Sequence, residues 1–140
     1  MWWVSLVACG AGAAKPQLDT IELVVDGHEV VAELADDPAE RAKGLMYRKA
    51  LGTDAGMLFA YPETAQRGFW MENTQVPLSI AYIRHDGTIA TIKHMVPFDR
   101  TSVKSDVPVL YALEMTRGWF EDHEVQVGDR VTGLPGASEN

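Results

Sequence analysis

The chain has 140 residues, of which 46% are apolar and 23% charged, and its formal net charge is −8. That length holds one domain with a real core and is too short for two ordinary ones, and the composition is that of a globular protein rather than a disordered one. No apolar run approaches the roughly 20 residues of a spanning helix, and a net acidic surface disfavours a nucleic-acid role unless charge is segregated. Some segregation exists. Residues 19–40 hold eight acids and no Lys or Arg, whereas residues 41–104 hold nine bases against five acids. Scattered surface charge accounts for this; the sharper reading is a mildly positive site for a small anion or anionic polymer.

Residues 1–20 read as a truncated signal followed by a linker. Leu6-Val7-Ala8-Cys9, followed by Gly10, resembles a bacterial lipobox, in which lipid is joined to the Cys sulfur before the signal is cut. Only eight residues precede Cys9 and none is basic, so the chain would begin inside a longer signal. The competing reading is an ordinary thiol in an apolar tail. Cys9 is therefore the expected lipidation site, and the expected location is the periplasm or cell surface, lipid-anchored or secreted. A lone Cys excludes an internal disulfide.

The folded part is expected over residues 21–132. Ile21, Leu23 and Val25 alternate with polar or outward positions, as do Val30, Ala32 and Leu34, on either side of Asp26-Gly27. A period of two around such a turn predicts a hairpin. Asp37-Pro38-Ala39-Glu40 has the arrangement of an N-cap, a first-turn Pro and a capping-box Glu, predicting a helix to about Met46. Short strands are expected at Met57 to Tyr61 and Gly68 to Met71, around a turn from Pro62 to Arg67. Leu78 to Ile83 is apolar on both faces, like a central strand. Asp86-Gly87 then turns the chain into Thr88 to Met95, and Pro97 to Asp106 is a polar loop long enough to carry function. Val109 to Met115 alternates as another strand. Gly118 to Glu124 reads as a helical turn docking Trp119 and Phe120, Val125 to Thr132 as a last strand, and 133–140 as a flexible tail. The whole predicts a compact, β-rich, barrel-like α+β domain of six to eight short strands with one or two short helices.

The chemistry is sparse. His28, His85, His94 and His123 stand far apart without metal-ligand spacing, so no metal is expected. No phosphate-cradling Gly-rich loop and no nucleophile elbow is present, and no cofactor is expected. Glu114 interrupts an apolar strand, and Glu72 lies in Trp70-Met71-Glu72-Asn73; a carboxylate forced into an apolar site has a raised pKa and can act as acid or base. The plainer account is that each is satisfied by backbone or by an Arg such as Arg48 or Arg117. Trp70 is the best candidate for an exposed aromatic, because polar residues follow it at once.

Gly44-Leu45-Met46-Tyr47-Arg48, Gly56-Met57-Leu58-Phe59, Phe69-Trp70-Met71-Glu72-Asn73-Thr74, Pro77-Leu78-Ser79-Ile80, Tyr111-Ala112-Leu113-Glu114 and Gly128-Asp129-Arg130-Val131 occur in this order. That series resembles the bacterial and archaeal family called domain of unknown function 192, over about residues 20–132. The resemblance implies a small, single-domain, compact β-rich α+β protein, in many members with a signal sequence or lipobox. It implies no activity. Glu72 departs from the family pattern, which usually has a basic residue there, while Arg48, Trp70, Asn73 and Thr74 match it.

These observations converge on a non-catalytic cell-envelope binding module for a small molecule, glycan or partner protein. Arg48, Trp70, Asn73, Thr74 and Glu114 are the expected ligand-binding residues: Trp70 stacks, Arg48 pairs with a ligand acid or with Glu114, and Asn73 orients. The chain is expected to be a monomer, to touch membrane only through Cys9, and to bind no nucleic acid. The competing class is a carboxylate-dependent hydrolase of an envelope glycan, using Glu72 or Glu114. A third reading is an interaction module whose envelope partner docks on Pro97 to Asp106.

Overall fold

In the computed structural model, residues 18–138 are described; Cys9 and its lipobox lie outside them. Strands β1 (Thr20–Val25) and β2 (His28–Ala35) form the expected hairpin, with Val25 opposite His28 and Asp26 and Gly27 both at positive φ. That is the geometry whose twist matches the flanking strands. Helix α1 (Pro38–Lys43) starts at Asp37, whose side chain accepts from the Glu40 amide at 2.8 Å. It stops at Lys43 rather than near Met46. Gly44 takes φ 51° and ψ −133°, a conformation a side chain resists, and this sends Leu45 and Met46 off the helix. No residue of α1 is buried; Leu45 just beyond it is.

After this crossover β3 (Ala55–Ala65) runs parallel to β2. It continues through Pro62 to Ala65, where the sequence suggested a turn, because a register shift between Ala60 and Ala65 bends the strand and lets it keep pairing. The remaining elements are β4 (Gly68–Phe69), β5 (Leu78–Ile83), β6 (Ile89–Met95), β7 (Val103–Lys104), β8 (Val109–Thr116), α2 (Trp119–Asp122) and β9 (Val131–Thr132). Of the expected last strand over 125–132, only β9 pairs as a strand. The segment before it turns, with Asp129 accepting from the Gln126 amide at 2.7 Å. The loop from Pro97 to Asp106 contains β7, which pairs with β4 in a two-stranded sheet.

The main sheet has seven strands in the order β6-β5-β8-β3-β2-β1-β9. It curls, and a bridge between Thr88 and Arg130 draws its two ends together. The result is a barrel-like α+β domain, as expected. One hydrophobic cluster takes side chains from all seven strands and is closed by Trp119 and Phe120 of α2. This is the inside of the curl. A second cluster covers the outer face of β3, β8, β5 and β6 and is capped by Leu45, Met71 and Val76 from connecting segments. The central strands are therefore buried on both sides, and β5 shows no exposed residue along its length. Residues 135–138 are tied to the domain: the Tyr111 hydroxyl donates to the Pro135 carbonyl, the Ser138 amide to Tyr61, and Arg41 to Ser138.

Phe120 is fully buried and closes the inner cluster, so Phe120→Ala is expected to lower unfolding free energy by about 3–5 kcal/mol in urea titration. Val31→Ala, on the exposed side of β2, is expected to change it by less than about 0.5 kcal/mol.

Candidate functional site

Glu114 stands in the middle of β8, on the side opposite its neighbours Leu113 and Met115, which belong to the inner cluster. It therefore faces outward with Ala112. Directly across it lie Met57 of β3 and Ile80 of β5, both fully buried. Glu114 itself is 4% exposed. Among the described residues, no side chain or backbone group forms a hydrogen bond or ion pair with its carboxyl. An acid in that position loses hydration without gaining a partner, and burial pushes its pKa up to about 8.

The carboxyl lines a cavity of about 190 Å³ between the outer face of the sheet and the segments that cover it. One wall is the end of α1 and the turn after it, from Arg41 to Met46; the other is Gly68 to Met71 with Thr74. Phe59, Tyr61 and Leu78 line it from the sheet beside Glu114. Phe69 is the hub of the aromatic lining. Its ring meets Phe59 edge-on at 4.7 Å, Tyr61 at 6.5 Å and Tyr82 at 5.9 Å. The guanidinium groups of Arg67 and Arg41 lie 3.8 and 5.1 Å from the Tyr61 ring centre. Burial raises the Tyr61 hydroxyl pKa, partly offset by these two cations. Burial and the nearby Glu114 charge raise that of Tyr82.

Backbone bonds between separate loops build the rim. The Tyr47 amide donates to the Asn73 carbonyl (2.9 Å), that of Phe98 to Thr74 (3.1 Å), and that of Met71 to Asp99 (2.8 Å). Tyr47, Asn73 and Phe98 all have φ between 53° and 65°. Non-glycine residues rarely take that conformation, and three together mark a constrained segment. Tyr47, Trp70 and Phe98 are exposed at 71, 45 and 62%.

This geometry has counterparts. A family model for DUF192, described as an uncharacterized ACR, matches residues 21–133. The chain belongs to the DUF192 family. A crystal structure from Sinorhizobium meliloti 1021, described as a candidate transcription regulator, is similar with 37% identity and a TM-score of 0.82, covering 86% of this chain and 98% of the other. A protein of unknown function from Novosphingobium aromaticivorans DSM 12444 is similar with 36% identity and a TM-score of 0.75, covering 85% of this chain and 90% of that one. No curated protein matches.

Against this DUF192 fold, the five residues singled out from sequence separate into two groups. Trp70, Thr74 and Glu114 all line the cavity. Thr74 is buried, with its hydroxyl donating to the Glu72 carbonyl at 2.9 Å. Arg48 and Asn73 do not line it. Arg48 pairs with Glu33 through two 2.7 Å bonds rather than with Glu114, since the turn after α1 aims it toward β2. Asn73 is exposed and donates to the Tyr47 hydroxyl at 3.0 Å. Glu72 is ion-paired with Arg100 at 3.3 Å, and Arg100 also lies 5.8 Å from the Trp70 ring. Leu45, Met46, Phe59, Phe69 and Leu78 also line the cavity, and the sequence pattern placed them only in expected helix or strand segments. The family motif through Gly44 and Leu45 was the available signal.

A second cluster lies on the other side of the sheet. His123 stacks on Trp119 at 4.2 Å and meets His28 edge-on at 4.9 Å, while Trp119 Nε1 donates to Asp54 at 2.9 Å. These contacts fasten α2 over the inner cluster, and among the described residues no metal-holding group of His, Cys, Asp or Glu is found.

Between the unfolded carboxyl pKa of 4.5 and the folded value of about 8, the native state keeps a proton that the unfolded chain has lost. Stability is therefore fullest below that window and falls by up to roughly 1.4 kcal/mol per pH unit through it. Glu114→Gln is expected to remove this slope, leaving the variant more stable than the parent by pH 8 in denaturant titrations at a series of pH values.

Proposed function

We propose that this protein is a small-molecule-binding module without catalysis, and that its site is the cavity at Glu114. One observation carries the reading: a buried carboxyl with no partner among the described residues borders an open, aromatic-lined space. Burying a polar group without a partner costs stability, so its retention calls for a compensating role. A ligand that satisfies it supplies one. The volume of about 190 Å³ suits a compact ligand, and Trp70 at the entrance offers a flat apolar face.

Hydrolysis is the weaker reading. Glycosidic cleavage generally uses two carboxyl groups flanking the bond, and Glu114 is the one acid among the cavity's lining residues. Glu72 is engaged by Arg100. A nucleic-acid role, suggested by the description of the Sinorhizobium relative, has the chain's net charge of −8 against it. The lipobox-like Leu6-Val7-Ala8-Cys9 supports display of the module at the cell envelope by a lipid anchor.

Trp70→Ala alters an exposed side chain and is expected to leave the fold intact while weakening ligand binding by roughly tenfold, about 1.4 kcal/mol. Thermal-shift screening of both proteins against small amines, sugars and organic acids checks this. A common hit that stabilises both equally, or no hit at all, removes the cavity as the site. Intact-mass measurement of the protein from a membrane fraction is expected to show acyl chains on Cys9, absent in Cys9→Ser.

A further inference from the structure

Resting on the reading of this cavity as a binding site, we infer that its ligand is a small organic ammonium ion. The ammonium pairs with the Glu114 carboxylate, and its hydrocarbon part lies against Phe59, Phe69 and Trp70. Four arginines around the cavity have other partners, and Lys43, which also lines it, is not bonded to Glu114. Arg48 is held by Glu33 and Arg100 by Glu72. Arg41 donates to the Ala60 carbonyl and Ser138, and Arg67 donates to the Glu63 carbonyl while stacked on Tyr61. The counter-charge for Glu114 is therefore left for a ligand to bring.

The rest of the lining argues the same way. A hydroxyl-rich ligand needs several free side-chain donors and acceptors, but the Thr74 hydroxyl is already bonded to the Glu72 carbonyl and most of the other lining side chains are hydrocarbon or aromatic. One unpaired acid among aromatic and aliphatic walls matches a ligand with one charged head and an apolar body, and aromatic faces attract organic cations as well. At Glu114 an anion would meet a like charge or an acid that offers only one hydrogen bond, so its attraction would have to come from Arg41 and Lys43 on the α1 wall.

Binding involves no covalent change: the ammonium keeps its protons, and any proton on Glu114 leaves to solvent as the ion pair forms. The ionisable groups facing Glu114 from the packed elements are Tyr61 of β3, Tyr82 of β5, and Arg41 and Lys43 of α1, with Arg67 beyond Tyr61. The two tyrosines are raised and stay neutral throughout the useful pH range.

Titration calorimetry of the full chain with n-butylammonium, the isosteric n-butanol and butyrate tests this from about pH 6 to about pH 9, in buffers of differing ionisation enthalpy. Butylammonium is expected to bind with release of about one proton at the acidic end, gaining up to about tenfold in affinity per pH unit until the carboxyl is ionised. Glu114→Gln is expected to lose at least about tenfold. Tighter binding of butanol or butyrate, or ammonium binding that releases no proton and survives Glu114→Gln, overturns the ammonium assignment and leaves the cavity reading standing if Trp70→Ala still weakens the bound probe. If no probe binds, or binding ignores both Trp70→Ala and Glu114→Gln, both fall.

Discussion

Strand β8 is buried on both faces, and it carries an acid. Its inner side contributes Leu113 and Met115 to the closed curl of the sheet, so the alternating side chains at Ala112 and Glu114 must face outward. A slip of one residue would exchange these sets and drive the carboxyl into the inner core. Pairing on both edges, with β3 and with β5, forbids that slip. Glu114 is held where it stands by the strongest part of the fold, between Met57 and Ile80.

What turns this buried acid into a site is the second layer. The outer face of the sheet is covered by connecting segments rather than by a full helix, and irregular segments leave gaps that a helix packed along the sheet would fill. The turn after α1 lies on one side and the Gly68 to Thr74 segment on the other. Three interloop backbone bonds lock these segments to one another and to the Val96 to Asp99 turn. The left-handed residues Tyr47, Asn73 and Phe98 each carry a conformational cost of about 1–3 kcal/mol, which only a well-determined surrounding can sustain. Tyr47, Trp70 and Phe98 are exposed, and of these Trp70 lines the cavity.

Charge is arranged around the cavity in a consistent way. Of the positive balance seen over residues 41–104, Arg41 and Lys43 line the cavity, while several of the arginines are engaged elsewhere: with Glu33, with Glu72, with backbone carbonyls and with the Tyr61 ring. The apparent excess of base in sequence is thus partly neutralised by acids drawn from outside that stretch, Glu33 of β2 among them. Among the described residues, Glu114 stays unpaired.

Local rules sufficed for much of this protein. The period-two hairpin around Asp26-Gly27 and the Asp37 cap follow from interactions between residues close in sequence, and the apolar character of β5 and of Trp119-Phe120 announced their burial. The series of motifs from Gly44 to Val131 sufficed for the family. Local rules failed where distant partners decide. The helix ended early at Gly44, β3 ran through its proline on a bulge, and the segment before β9 turned instead of pairing. The site shows the same division. Trp70, Thr74 and Glu114 stood out as residues of the wrong polarity for their neighbourhoods, and they line one cavity. Arg48 and Asn73 stood out equally and do not line it, because Glu33 and Tyr47, 15 and 26 residues away, claim them. A side chain's chemistry is written in the sequence, but which groups compete for it is settled only when strands far apart in the chain pair and fix who its neighbours are.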